Sequence, residues 1–302
     1  MGLDRDQIVE HFKTLQDTIC SSLERLDQRG RFHEDSWSME TGGGGRTRLI
    51  EGQHIEKGGV NFSAVQGPIS QRLSQILGKV GEQFFATGVS IVLHPTNPWV
   101  PIIHMNVRFF EVDDDTWWFG GGIDLTPHYV NTAEAREFHR ALQVVCNRVD
   151  VGYYKRFSED ADQYFFLKHR EERRGIGGIF FDRLSTGYEG KSKEALFDFV
   201  MDVGNSFIPL YSTLFHANYL RAFDAKEKEW QLYRRGRYVE FNLVWDRGTR
   251  FGLETGGRTE SILMSLPSVA SWRYDFTPIG GSLEAQTQSY LKQKVDWLSF
   301  TN

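Results

Sequence analysis

The stretch GVSIVLHPTNPWVPIIHMNVRFFEVDDDTWWFGGGIDLTP, Gly88 to Pro127, decides the fold. It reads as three strands in succession, because β-branched and aromatic residues alternate with others while Pro, Asn and Asp clusters break the runs. Side chains of a strand point to alternate faces. In the middle strand Ile103, Met105, Val107 and Phe109 share one face, and Ile102, His104, Asn106 and Arg108 share the other. The first strand sorts Val89, Ile91 and Leu93 against Ser90, Val92 and His94. The third sorts Trp117, Phe119, Ile123 and Leu125 against Trp118, Gly120, Gly122 and Asp124. One face is core. The ordinary reading of the other is a solvated surface, but it has almost no Lys or Glu. Its Ser, His, Asn, Arg and Asp stand beside glycines that leave space, which suits the wall of a ligand cavity.

Outward from that stretch, an amphipathic helix is expected over residues 4–28, from Ile8, Phe12, Leu15, Ile19, Leu23 and Leu26 at helical spacing. Short strands are expected over 36–66, interrupted by a mobile loop at Gly42 to Gly45 and by Gly58-Gly59. Pro68 opens a helix with Ile69, Leu73, Ile76, Leu77 and Val80. Helices follow over 132–149, capped by Thr132, and over 158–173, stopped by the Gly175 to Gly178 run. Ile179 to Phe181 is a short strand, and 191–220 is helical with Pro209 kinking or splitting it. RYVEFNLVWDRGTRFGLE, residues 237–254, reads as a hairpin turning at Asp246 to Gly248. A last helix spans 282–298, capped by Ser282. With no repeat or linker, residues 1–302 form one α+β domain around an antiparallel sheet, the helix of residues 1–30 included.

Composition narrows the class. The 302 residues are 40% hydrophobic and 25% charged, enough for a large core, and 14% are aromatic, which suits a large π-rich ligand. A net charge of −5 offers no general attraction to nucleic acid or anionic membrane. Cys20 and Cys146 make no disulfide framework and fit a reducing, cytoplasmic setting. MGLDRDQIVEHF has no apolar signal segment, and no run approaches the 18 apolar residues of a membrane span.

No fingerprint for an organic cofactor stands out: the glycine clusters lack the G-x-G-x-x-G order, and HExxH, CxxC and GxSxG are absent. The chemistry-bearing residues left are His94, His104, His139 and His169, each a metal ligand or a proton-transfer group by nature. Arg108, between apolar residues of a strand, and Arg258, after Gly256-Gly257, look least like surface charges. A guanidinium pairs a carboxylate through a bidentate fork, so these two suit a ligand with several carboxylates.

The segments HMNVRFF, WWFGGGIDLTP, LKHREERRGIGGIFFD, QLYRRGRYVEFNLVWDRGT and FGLETGGRTESILMSLP closely resemble the oxygen-dependent coproporphyrinogen III oxidases. One departure stands at Ser158-Glu159-Asp160-Ala161, where that family usually carries Lys-x-Trp-Cys, so no role for that Trp or Cys carries over. The resemblance implies oxidative decarboxylation of two propionates of coproporphyrinogen III to vinyls, giving protoporphyrinogen IX. Molecular oxygen is the oxidant, and CO2 and H2O2 are released. It implies a large, rather flat antiparallel sheet flanked by helices on both sides, in a homodimer. It further implies Ser90, Asn106, Arg108, Gly256, Gly257 and Arg258 as substrate contacts, His104 as proton donor and Asp124 as an acid that holds pyrrole nitrogens. His94, His104, His139 and His169 match positions held to ligate a divalent metal in bacterial members. An electron-rich porphyrinogen can reduce oxygen without flavin or haem, which fits the missing cofactor motif. Two other classes stay open at this level: a His-ligated metal enzyme and a tetrapyrrole carrier without turnover.

Overall fold

The computed structural model describes residues 2–40, 42–69, 74, 83–254 and 257–300. The expected three strands are β4 (Gln83–Pro95), β5 (Ile102–Asp113) and β6 (Thr116–Thr126), and they form the middle of a seven-stranded antiparallel sheet. Outside them lie β1 (His33–Ser38), β2 (Gly43–Ile50) and β3 (Ile55–Pro68) on one side, and β9 (Gly178–Leu184) on the other. A separate ladder pairs β7 (Phe166–Leu167) with β8 (Glu172–Arg173).

The core face is the one the alternation assigns. Val89, Ile91, Leu93, Ile103, Met105, Val107, Phe109, Phe119, Ile123 and Leu125 are all buried. Against them pack α1 (Arg5–Asp27), α2 (Thr132–Asn147), α3 (Tyr153–Tyr164) and α5 (Lys193–Asn218), whose apolar stripes join the same core. α1 starts where its sequence says: Asp4 and Gln7 form a reciprocal capping box. The rest of the fold comprises α4 (Thr186–Glu189), α6 (Ala225–Glu240), a π-helical turn (Phe241–Trp245), α7 (Arg247–Glu254), α8 (Thr259–Leu263) and α9 (Leu283–Lys292). Helices also cover part of the opposite face: Tyr238 of α6 packs on Val92 and Ile102, and Met264 lies over Gly59. The fold is a single α+β domain with a large antiparallel sheet between helices.

Several local expectations are corrected. Residues 237–254 are not a hairpin but the end of α6, the π turn and α7. The alternation there is only eight residues long, and helix formation starts upstream, at a capping box between Asp224 and Glu227. From Trp230, the buried positions Tyr233, Arg234, Arg237 and Tyr238 follow at helical spacing. Gly43 to Gly45, Gly58 and Gly59 lie inside strands rather than in a mobile loop. Trp37 of the neighbouring strand lies where a Cβ of Gly45 would be, 2.4 Å from its ring. Residues 166–173 form the small ladder, so α3 ends at Tyr164. α2 is capped by Asn131, not Thr132. α5 runs unbroken past Pro209: one lost backbone bond costs about 3 kcal/mol, and buried Phe207, Tyr211, Leu214 and Phe215 outweigh it. Pro68 closes β3, and the helix expected beyond it lies outside the described residues apart from Ser74. α9 stops at Lys292.

Candidate active site

Antiparallel register lines up the second face of the sheet in transverse rows. One row runs Thr47, Asn61, Ser90, Asn106, Gly122 and Phe180 across β2, β3, β4, β5, β6 and β9. The row beside it runs Gly45, Ser63, Gly88, Arg108 and Gly120. The row on the other side runs Leu49, Gly59, Val92, His104 and Asp124. Ser90, Asn106, Arg108 and His104 are all partly exposed in the centre of the sheet, where a strand is normally covered. Gly88, Gly120 and Gly122 raise no side chain of their own; the Arg108 guanidinium and the Asp182 carboxylate lie over Gly120, and Ser90 and Asn106 stand beside Gly88 and Gly122.

At one end of this face sits an ionised cluster. Asp124 is 1% exposed, and both its oxygens accept from Arg174 Nη2 at 2.8 Å. His104 Nδ1 lies 2.7 Å from Asp124 Oδ1. A carboxylate only accepts, so Nδ1 carries the hydrogen of this bond and Nε2 is turned away from Asp124. Burial alone would raise the Asp124 carboxyl, but the Arg174 charge and the His104 bond hold it below the usual carboxylate range. Arg174 is itself 2% exposed. Its guanidinium lies between the rings of Phe165, Tyr238 and Phe241 at 4.4–4.7 Å, and its Nη1 donates to Asn242 Oδ1 at 2.9 Å. Nothing in the run KHREERR marks this arginine as buried. The signal is the glycine after it: a Cβ on Gly175 would come within 2.1 Å of Leu125 O, so the chain must press against β6 there. Arg174 and Asn242 are the members of this cluster that sequence reasoning missed.

The residues expected in the site are thus partly gathered. Ser90, Asn106, Arg108, His104 and Asp124 share one face. Asp124 lies beneath His104, its carboxylate occupied by Arg174 and the imidazole, rather than open on that face. Arg258 caps α8 and reaches Asp35 of β1 on the same face. Gly257 donates its N–H to Gly252 O, while Gly256 lies outside the described residues.

The four histidines do not converge. His94 Nε2 donates to Ser265 O, and its buried Nδ1 has no partner among the described residues. His139 Nε2 donates to Ile176 O, and its Nδ1 accepts from Tyr154. His169 donates to Glu240 through Nε2 and accepts from Trp245 Nε1 through Nδ1. The lone pairs of His139 and His169 that a metal would need already face hydrogen-bond donors. No group of three His, Cys, Asp or Glu among the described residues is placed to hold an ion. This donor set does not fit a four-histidine metal site.

Comparison with known proteins gives a consistent result. The family model described as coproporphyrinogen III oxidase matches residues 7–297. The oxygen-dependent coproporphyrinogen-III oxidase of Synechococcus sp. (strain CC9902) is 47% identical, covering 97% of this chain and 88% of that protein. That of Prochlorococcus marinus (strain MIT 9312) is 46% identical over 95% and 90%. That of Synechococcus sp. (strain CC9605) is 48% identical over 94% and 85%.

Proposed function

The chain belongs to the coproporphyrinogen III oxidase family, and from that premise we propose that this polar face of its sheet holds coproporphyrinogen III and converts two propionates to vinyls with molecular oxygen. The product is protoporphyrinogen IX. Each event balances as one propionate carboxylate, one oxygen molecule and one proton giving one vinyl, one CO2 and one H2O2. The C–C bond to the carboxylate breaks, the neighbouring carbon loses hydrogen with its electron pair, and oxygen takes up both electrons.

The observation that carries this reading is the His104–Asp124–Arg174 cluster beside the partly exposed row of Ser90, Asn106 and Arg108 on the same face. The macrocycle is broad, and Gly88 and Gly122 raise no side chain of their own beside Ser90 and Asn106, while the Arg108 guanidinium and the Asp182 carboxylate lie over Gly120. Arg108 and Arg258, paired with Asp182 and Asp35, would take propionates in exchange, and Ser90 and Asn106 face the ring's polar edge. His104 is the group that can move a proton at the substrate. Asp124 holds its Nδ1, so Nε2 is the atom presented to a pyrrole N–H or a side-chain carbon. Arg174 keeps Asp124 ionised in a buried place. In this scheme the electrons come from the porphyrinogen itself, and no organic cofactor is used.

A homodimer belongs to the same proposal. Leu243, Val244, Trp272, Tyr274 and Ile279 are large apolar side chains at least 45% exposed, the kind of side chain a partner surface covers. The expected long strand in that region is absent, so any interface there is helical and extended chain. Sedimentation showing only monomer at micromolar concentration would contradict the dimer. A cytoplasmic setting is supported by two free, buried cysteines; among the described residues no helix is long and apolar enough to cross a membrane.

The test of the activity is consumption of coproporphyrinogen III by purified protein with and without oxygen. Turnover only with oxygen, with one CO2 and one H2O2 for each vinyl formed, is expected. Equal turnover without oxygen, or binding without turnover, would overturn the proposal.

A further inference from the structure

The two arginines assigned to propionates are already paired with carboxylates of the chain itself. Arg108 Nη2 donates to Asp182 Oδ1 at 3.0 Å, and Arg258 Nη2 donates to Asp35. These aspartates come from the two edge strands of the sheet, β1 and β9. Register places both on the site face. Asp35 pairs with Thr47, in the row of Asn61, Ser90 and Asn106. A Cβ on Gly120 would lie 2.8 Å from Asp182 Oδ1. Six strand spacings of about 4.8 Å separate the edges, roughly 29 Å in all, a span wider than the reach of one tetrapyrrole's carboxylates. The two guanidinia are therefore drawn toward opposite margins of the face.

We propose that Asp35 and Asp182 are specificity residues that stand in for substrate carboxylates while the site is empty. The inference rests on the reading of this face as the porphyrinogen site. Each internal pair is exchanged for a propionate pair of the same kind, so the guanidinium never loses a charged acceptor and stays oriented. The side chains are 32–43% exposed, so each exchange is nearly even in energy and turns on how many carboxylates the ligand offers. A tetracarboxylate completes both exchanges. After two propionates have become vinyls, fewer carboxylates compete with Asp35 and Asp182, and the internal pairs re-form as the product leaves.

The experiment compares wild type with Asp182→Asn, Asp35→Asn and the double variant, by steady-state kinetics and by inhibition with the dicarboxylate product under anaerobic handling. An exposed ion pair is worth up to about 1 kcal/mol, so each single change should lower KM about two- to fivefold and strengthen product inhibition by a similar factor. Asp182→Glu should keep wild-type KM, and Tm should stay within a few degrees throughout. A KM that rises or stays put in the Asn variants overturns the inference. Arg108→Lys separates this from failure of the functional reading. If it raises KM while Asp182→Asn raises KM too, the arginine binds substrate and the aspartate merely supports it. If Arg108→Lys leaves KM unchanged, the assignment of this face falls, and the inference with it.

Discussion

The two faces of the central sheet are built by the same strands and obey opposite rules. On one, Val107, Phe109, Phe119 and Ile123 are buried among the helices α1, α2, α3 and α5. On the other, the very next residues are Asn106, Arg108, Gly120, Gly122 and Asp124, and among the described residues helices cover part of it, at Val92, Ile102, Gly59 and Thr47. The first face is closed by area: roughly 25 cal/mol per Å² of apolar surface removed from water holds it together. The second leaves polar groups in the middle of a sheet partly open, where they contribute little to stability and are free to meet a ligand. A one-residue step along β5 therefore moves from stability to chemistry. Substitutions that respect or cross this division test it.

The largest effect is expected at Asp124, which belongs to both regimes. Asp124→Asn should lower turnover by about two to four orders of magnitude, the usual contribution of positioned proton transfer. It should also lower Tm, because Arg174 is left as a buried charge without its partner, which costs about 3–5 kcal/mol. Near-normal kcat in this variant would remove the cluster from the chemistry. The contrasting change is Phe109→Ala, one residue from the site-face Arg108 but on the core face. It should cost about 3–5 kcal/mol of stability, read as a fall in denaturant midpoint, while KM measured well below the new Tm stays near wild type. A large change in KM without loss of stability would show that the two faces are not separate.

How much of this was legible from the sequence follows the same division. Alternation in β4, β5 and β6 is set by neighbours two residues apart, so both faces could be read locally, down to His104 and Asp124 sharing one. The registers that bring Thr47, Asn61 and Ser90 into line with Asn106 are long-range and could not. Arg174 was hidden because a basic run looks the same whether it is solvated or folded under a sheet. Residues 237–254 misled because Val239, Phe241, Leu243 and Trp245 alternate as a strand would. Only the capping box at Asp224 and the buried series from Trp230 declare the helix that carries them in. Leu243 is 45% exposed, so its alternation never reported one buried face.

A smaller, pH-dependent effect sharpens the comparison. His94, His128 and His139 are buried; desolvation pushes His94 and His139 down from 6.5, to about 3 and about 4, and holds His128 well below its ordinary value. The unfolded chain therefore binds more protons than the folded one below pH 6.5. Stability is complete above that pH and falls as pH drops from 6.5 toward 4, by about 1.4 kcal/mol per pH unit for each histidine. Denaturation at pH 7, 6 and 5 should show that slope, and His139→Gln should reduce it by about a third. A flat profile would mean that these imidazoles are not held neutral.

The central claim is that the four histidines work separately and that His104 alone stands at the reacting atoms. The direct measurement is kcat, Tm and bound metal for His94→Ala, His104→Ala, His139→Ala and His169→Ala of the purified protein. His104→Ala should lower kcat at least about a hundredfold with little change in Tm or metal content, while His94→Ala and His139→Ala lose stability and His169→Ala loosens its contact with Glu240. Stoichiometric metal in the wild type, lost together with activity in all four variants, would contradict the account.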